Sequence, residues 1–231
     1  MQTDLSNSRK VLDALITKTS LKQQVYGNTY SVFQDFKQLV KEFVEENKEE
    51  VVKLNPNIAL DYTDKGDFEI ELKFGGDVLF FLMHTNIFEF SRDHEIMKTS
   101  YIKDDPKRSY CGMITIFNFL ADSFKYHRTN DIGYLIGRVF INNESHYFLE
   151  GKREIGLLYN NFPTSIISKS AVRQIIESAM MYTINFDLLT PPYENMKEVS
   201  VSEMQYTIDN MPIKTGKRLG FRFYADTDQN I

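Results

Sequence analysis

Three residues near the ends of a predicted β-hairpin have the chemistry of a metal-dependent phosphate site. Residues 131–152 read as an apolar strand, a polar turn and a returning strand. An antiparallel hairpin brings its two ends together, so we expect Asp131 to lie near Glu150 and Lys152. Two carboxylates can hold Mg²⁺ and a lysine can assist the attacking water, which is the chemistry of a nuclease or phosphodiesterase. The same three residues could equally form an ordinary solvated strand end.

The acidic-x-Lys pattern that joins Glu150 to Lys152 is not specific by itself. A chain of this length is expected to contain it about twice by chance. A second arrangement on a predicted hairpin combines Asp61 with Glu71 and Lys73, and His146 could share a face with Glu150. The pattern occurs five times, starting at Asp35, Glu46, Glu71, Asp105 and Glu150.

Other catalytic chemistries have little support in the sequence. The four histidines form no close pair of the kind that binds transition metals. Cys111 is the single cysteine, so it can form neither an internal disulfide nor a cysteine zinc cluster. Neither a G-x-S-x-G motif nor a glycine-rich phosphate loop is present. We therefore expect no metal and no cofactor, except Mg²⁺ under the nuclease hypothesis.

Composition indicates a packed protein that acts in the cytoplasm. The 231 residues are 42% hydrophobic and carry a net charge of −5, which argues against general binding to nucleic acids or anionic membranes. No apolar run approaches the roughly 18 residues of a membrane helix, and the polar start lacks a signal-peptide core. The expected partner is another protein, and the oligomeric state is left open.

RNA is the second candidate partner, because basic and aromatic side chains alternate in two runs. Such runs can stack bases and contact phosphates. A solvated strand or loop explains them equally well, and the acidic net charge favours that explanation. The candidate binding residues are Lys125, Tyr126 and Arg128 in the first run and Lys217, Arg218 and Arg222 in the second.

Hydrophobic periodicity predicts an α+β fold, with a large, mainly antiparallel sheet on which two N-terminal helices and one C-terminal helix pack. The first helix carries the stripe Val11, Leu12, Leu15 and Ile16, and Gly27-Asn28 separates it from the second, which ends before Asn55. Period-two alternation then predicts four strands in a meander between 58 and 92. The predicted single domain has a helical part at 1–56, a sheet at 57–162, and a helix with a tail at 163–231.

Three segments carry further expectations. Residues 91–109 are a polar excursion long enough to suggest a role, and 113–124 fits a helix or a strand, with strand favoured. In the first hairpin strand, Gly133 and Gly137 share a face, which indicates a close approach by a packed helix or by a ligand. Arg138 is expected on the opposite face with Ile132, Tyr134, Ile136 and Phe140, and as a charge among apolar residues it needs a carboxylate partner.

Two runs, 83–86 (MHTN) and 117–126 (FNFLADSFKY), resemble a family of uncharacterised bacterial cytosolic proteins of similar length. The likeness covers most of the chain and implies no activity, cofactor or partner. The leading functional hypothesis is therefore a non-catalytic binding or regulatory module that contacts another macromolecule. The alternative is a metal-dependent nuclease or phosphodiesterase that uses Asp131, Glu150 and Lys152.

Overall fold

The fold is α+β, and a large antiparallel sheet is its centre. The computed structural model describes residues 2–129, 131–151, 161–188, 190, 192–195 and 197–210. The α-helices are α1 (Gln2–Leu54), α2 (Ser100–Asp104), α3 (Ala121–Lys125), α4 (Lys169–Ile184) and α5 (Val201–Asn210). The strands are β1 (Leu60–Asp64), β2 (Glu69–Phe74), β3 (Asp77–Met83), β4 (Phe88–Glu89), β5 (Tyr110–Leu120), β6 (Tyr134–Asn142) and β7 (Tyr147–Gly151).

The strands follow the predicted meander, with one difference. The sheet order is β1-β2-β3-β5-β6-β7, and every pairing is antiparallel. Strand β3 is central and its side chains are largely buried on both faces, as its continuous apolar run predicts. The predicted fourth strand over 87–92 is reduced to the two residues of β4, which pair with the start of β5.

One long helix replaces the two predicted N-terminal helices. Helix α1 runs from Gln2 to Leu54 through the expected break at Gly27 and Asn28. A glycine inside a helix costs only about 1 kcal/mol, and on either side of it Val25 and Thr29 are fully buried. The Asn28 side chain does not break the helix but donates hydrogen bonds to the carbonyls of Asn142 and Asn143. Tertiary packing therefore overrides the local break signal.

Helices α1 and α4 cover the inner face of the sheet and build the main core with it. The inner face of β5 comes so close to α1 at Gly112 that a Cβ there would lie 2.1 Å from the Thr29 hydroxyl oxygen. Helix α4 begins as predicted, because the Ser168 side chain accepts a hydrogen bond from the Ala171 amide at 3.2 Å. Its predicted stripe is buried: Val172, Ile175, Ile176, Ala179 and Met180.

A β-bulge in β6 changes which face Arg138 occupies. Ile116 pairs with Gly137 and Phe117 pairs with Leu135, so Ile136 is skipped in the ladder. Before the bulge, Ile136 points into the main core, whereas after it Phe140 belongs to a second cluster on the outer face. The expectation that Ile136 and Arg138 share a face is therefore wrong, because strict alternation fails at a bulge.

The two glycines of the predicted hairpin strand, Gly133 and Gly137, do not mark a packed helix. A Cβ at Gly133 would lie 2.2 Å from the ring of Phe119, so an aromatic side chain makes the close approach there. At Gly137 the nearest atoms would be at ordinary contact distance, 3.4 Å or more. Gly151 is crowded instead, because its Cβ would lie 2.6 Å from the bulged carbonyl of Ile136.

The predicted excursion folds over one end of the outer face. It contains two 3₁₀ helices, Glu95–Lys98 and Pro106–Ser109, with α2 between them. The ambiguous segment 113–124 is strand up to Leu120 and then the short helix α3. The second cluster lies beneath the excursion and consists of Ile96, Tyr101, Ile102, Cys111, Phe140 and Phe162.

The C-terminal part differs from the prediction by one further helix, α5, after the 3₁₀ turn Tyr193–Asn195. The basic run predicted at 217–223 lies outside the described residues. In the part of the chain that is described, no helix has the length and apolar character needed to cross a bilayer.

Candidate functional site

Glu150, the central residue of the predicted phosphate site, is held by Arg138. The two residues face each other across the β6–β7 pair. Arg138 Nε donates to Glu150 Oε2 at 2.7 Å, and Nη2 donates to the same oxygen. The predicted carboxylate partner of Arg138 is thereby confirmed. Each side chain is a little more than one third exposed, so the pair is open to solvent on one side.

Asp131 lies elsewhere, in the loop between α3 and β6. Its Oδ2 accepts a hydrogen bond from the Ser123 hydroxyl at 2.6 Å and lies 4.0 Å from Arg128 Nη1. The hairpin ladder ends where Gly137 faces Gly151, six residues after Asp131 and roughly 20 Å away for an extended chain. The structure therefore does not bring Asp131 to Glu150, and Lys152 lies outside the described residues.

His146 also has a structural role, at the other end of β7. Its Nδ1 is 3.0 Å from the Phe162 carbonyl oxygen, and its ring stacks on Tyr101 at 5.1 Å. In the second predicted arrangement, Asp61 is bound by Lys48 at 2.6 Å and Glu71 by Lys65 at 2.7 Å. Each of these carboxylates thus has its own lysine partner.

A polar network that the sequence did not reveal joins the excursion to the hairpin turn. The Tyr101 hydroxyl donates to Glu144 at 2.8 Å and accepts from Asn142 Nδ2 at 2.9 Å. Arg108 donates to the other oxygen of Glu144 and to the carbonyl of Tyr101, both at 3.0 Å. The excursion length was the only sequence signal, because the hydrogen bonds from Tyr101 and Arg108 to Glu144 join residues 36 to 43 positions apart.

Burial and hydrogen bonding shift the pKa values in this network. Burial, with the hydrogen bond to Glu144, raises the pKa of Tyr101 to about 12. Burial alone would raise the pKa of Glu144, but the hydrogen bonds from Tyr101 and Arg108 outweigh it and lower that pKa. A neutral tyrosine and an ionised glutamate therefore persist across the physiological range, which suits a structural tie rather than acid–base chemistry.

A cavity of about 260 Å³ lies between the excursion and the outer face of the sheet. The Arg138–Glu150 pair forms one side of it. Cys111 also reaches the cavity, but burial raises the pKa of its thiol, so the thiol is unreactive. The remaining wall is mainly aromatic and apolar: Phe88, Glu89, Phe90, Ser91, His94, Met113 and Phe140.

The first basic–aromatic run does form a compact group at the end of α3. Lys125 Nζ lies 4.9 Å from the ring centre of Tyr126, and the guanidinium carbon of Arg128 lies 5.3 Å from it. The hydrogen bond and proximity to Tyr126 raise the pKa of Lys125. The second run, with Lys217, Arg218 and Arg222, lies outside the described residues. One small cationic group is thus placed, with Asp131 close to Arg128.

The N-terminal part of α1 extends away from the sheet. We call residues 7–20 of α1 the arm; all fourteen are exposed. The arm contacts the body through Lys18, whose Nζ lies 5.4 Å from the ring centre of Tyr110. Among the described side chains of α1, counted from its N-terminus, Val25 is the first that is buried. At 1.5 Å per residue the arm is roughly 20 Å long. Within the described part of the chain, the arm is therefore exposed to solvent along its length, apart from the contact of Lys18 with Tyr110.

The arm carries an apolar stripe, which was expected from its sequence to pack on the sheet. The exposed fractions are 68% for Val11, 52% for Leu12, 60% for Leu15 and 55% for Ile16. The sequence predicted the helix and the stripe, but assumed that the stripe packs on the sheet. Periodicity identifies a face that needs a partner and does not say whether the same chain supplies it.

Neither the arrangement of possible metal ligands nor the comparison with known proteins assigns a function to these surfaces. Among the described residues, no group of three or more histidine, cysteine, aspartate or glutamate side chains is placed to hold a metal ion. Compared with protein-family models, curated proteins and solved structures, the chain matches none.

Proposed function

We propose that this protein is a non-catalytic binding module of the cytoplasm that contacts another protein chain through the arm. The single observation that carries the proposal is the exposed stripe of Val11, Leu12, Leu15 and Ile16 on a helix that leaves the body. Contiguous apolar surface of this kind marks interaction sites on soluble proteins.

The energetics of the arm favour a bound state. Fully burying an aliphatic side chain stabilises by about 1.5–3 kcal/mol, and half or more of each stripe side chain is still exposed. A partner that covers the stripe would therefore gain about 1 kcal/mol from each of the four side chains. The arm continues the packed part of α1, so a partner would bind it without the cost of helix nucleation.

A protein suits this surface better than a nucleic acid does. The stripe offers aliphatic groups, whereas single-stranded nucleic acid is bound by aromatic stacking and cationic grooves. RNA remains a prediction for the group formed by Lys125, Tyr126 and Arg128. The cytoplasmic part of the proposal rests on the sequence, in which Cys111 is the single cysteine, and its thiol is free and buried.

The test compares three tagged proteins in a pull-down read by mass spectrometry, with and without nuclease. The double variant Leu12→Glu/Leu15→Glu places charge in the stripe, and Thr17→Glu places one on the opposite side of the same helix as the control. We expect the wild type and the control to retain a stoichiometric protein chain after nuclease treatment, and the double variant to lose it. Equal retention by all three would refute the arm as the contact surface, and loss on nuclease treatment would indicate RNA.

A further inference from the structure

We propose that the chain bound by the arm is a second copy of this protein, and that the two arms pair antiparallel about a two-fold axis between residues 13 and 14. The inference rests on the proposed function, because it names the partner of the same surface. It is carried by the symmetry of the stripe, the charges at its edges and the position of the body along α1.

The stripe is symmetric about its own centre. Val11 and Ile16 lie equally far from the point between residues 13 and 14, and so do Leu12 and Leu15. At 3.6 residues per turn these four side chains lie within an arc of about 140°. A two-fold contact requires a patch that complements itself. Antiparallel pairing about this point places Leu12 against Leu15 of the second copy, with Val11 beside Lys18 on one edge and Ile16 beside Arg9 on the other.

The charges at the edges of the stripe are compatible with this register. In heptad terms Leu12 and Leu15 occupy the a and d positions, and the flanking e and g positions decide which helices accept each other. Arg9 then lies beside Ile16 of the second copy, and Lys18 lies beside Val11, each about 3 Å apart in level along the helix. No two like charges therefore meet along either edge of the contact.

The body lies beyond the stripe along α1. Lys18, which contacts Tyr110, is roughly 7 Å along the helix from the proposed axis, and Val25, the first buried residue among the described side chains of α1, is roughly 17 Å from it. In the antiparallel arrangement the two bodies lie at opposite ends of the paired arms, so they stay apart. The contact is smaller than a standard interface, so we expect a reversible dimer that forms at high protein concentration and dissociates on dilution.

The first test is the solution mass of the full chain by light scattering over a concentration series. We expect the wild type and Thr17→Glu to approach the dimer mass at the highest concentrations, and Leu12→Glu/Leu15→Glu to stay monomeric. A wild type that is monomeric throughout would overturn the second copy as the partner. If the double variant then still lost a protein in the pull-down, the proposed function would stand with a different partner.

The second test reads the register by cross-linking through introduced cysteines. The background is low because the native Cys111 is 1% exposed. Antiparallel pairing about the proposed axis leaves the two copies of position 12 about 4.5 Å apart along the helix and the two copies of position 8 about 16 Å apart, whereas a parallel pair would bring both positions level. With a short bis-maleimide we expect covalent dimers from Leu12→Cys at several times the yield from Ser8→Cys, and none from Thr17→Cys. Equal yields from Leu12→Cys and Ser8→Cys, or from all three variants, would overturn the antiparallel pairing.

Discussion

Replacing Gly112 with alanine tests how α1 is seated on the sheet, and therefore where the arm leaves the body. The added Cβ would lie 2.1 Å from Oγ1 of Thr29 and 2.8 Å from its Cβ and Cγ2. Thr29 is fully buried and its hydroxyl donates to the Val25 carbonyl at 2.8 Å. Rotation of the threonine side chain cannot remove the Cβ contact, so the helix and the strand must move apart.

The expected cost follows from two opposing terms. Overpacking a well-packed contact typically costs 1–3 kcal/mol, whereas replacing glycine by alanine recovers about 0.4–1 kcal/mol by restricting the unfolded chain. We therefore expect Gly112→Ala to lower the free energy of unfolding by about 1–2 kcal/mol. Gly27→Ala is the matched control, since nothing lies within 4 Å of its added Cβ; we expect it to stabilise α1 by about 0.5–1 kcal/mol.

The assay is urea unfolding followed by circular dichroism, at one fixed protein concentration because association changes apparent stability. Thr29→Ala should rescue Gly112→Ala only in part, because the Thr29 Cβ at 2.8 Å remains. A coupling energy of at least about 0.5 kcal/mol between the two positions is expected. If Gly112→Ala were as stable as the wild type, the close contact between α1 and β5 would be wrong.

Three further changes have defined outcomes. Tyr101→Phe removes the hydroxyl between Asn142 and Glu144 and should cost about 1–3 kcal/mol in urea unfolding; no loss would mean that the network does not fasten the excursion. Because the folded pKa of Tyr101 is about 12 against a usual 10.0, its contribution is complete below pH 10 and is lost as the pH rises to 12, so Tyr101→Phe should flatten that decline. Glu150→Gln breaks a partly exposed pair with Arg138 and should cost about 1 kcal/mol or less; the nuclease hypothesis instead predicts loss of Mg²⁺-dependent cleavage with an unchanged melting temperature. Deleting residues 2–17 should change the stability of the dilute monomer by less than about 0.5 kcal/mol, since the described side chains there are exposed; a large loss would place the arm against the body.

The hydrophobic pattern of the sequence correctly predicted the elements that bury one face against the core and expose the other to solvent. Strand β2 alternates buried Ile70, Leu72 and Phe74 with polar residues that face outward, so its period-two pattern shows both its type and its orientation. The stripe of α4 and its Ser168 cap were predictable for the same reason, since one face is buried and the start is marked. In both elements a single boundary between core and solvent runs along the whole segment.

Features that depend on distant partners were not predictable. The bulge at Ile136 occurs where β6 pairs with β5, and it places Arg138 on the face opposite Ile136. Asp131 lies away from Glu150 because the hairpin ladder ends at Gly137 and Gly151. Gly27 was interpreted as a helix break, because the sequence around it does not show that Val25 and Thr29 are buried in the folded protein. The stripe on the arm was visible, but its exposure depends on where the sheet begins along α1.

The most direct test of the central claim is site-specific photo-cross-linking in living cells. A photoreactive amino acid replaces Leu15 in the stripe or Thr17 on the opposite side of the arm. We expect position 15 to form one discrete adduct with a protein chain, and position 17 to form little of it. No adduct from position 15, or equal adducts from both positions, would contradict the claim that the stripe is a protein contact surface.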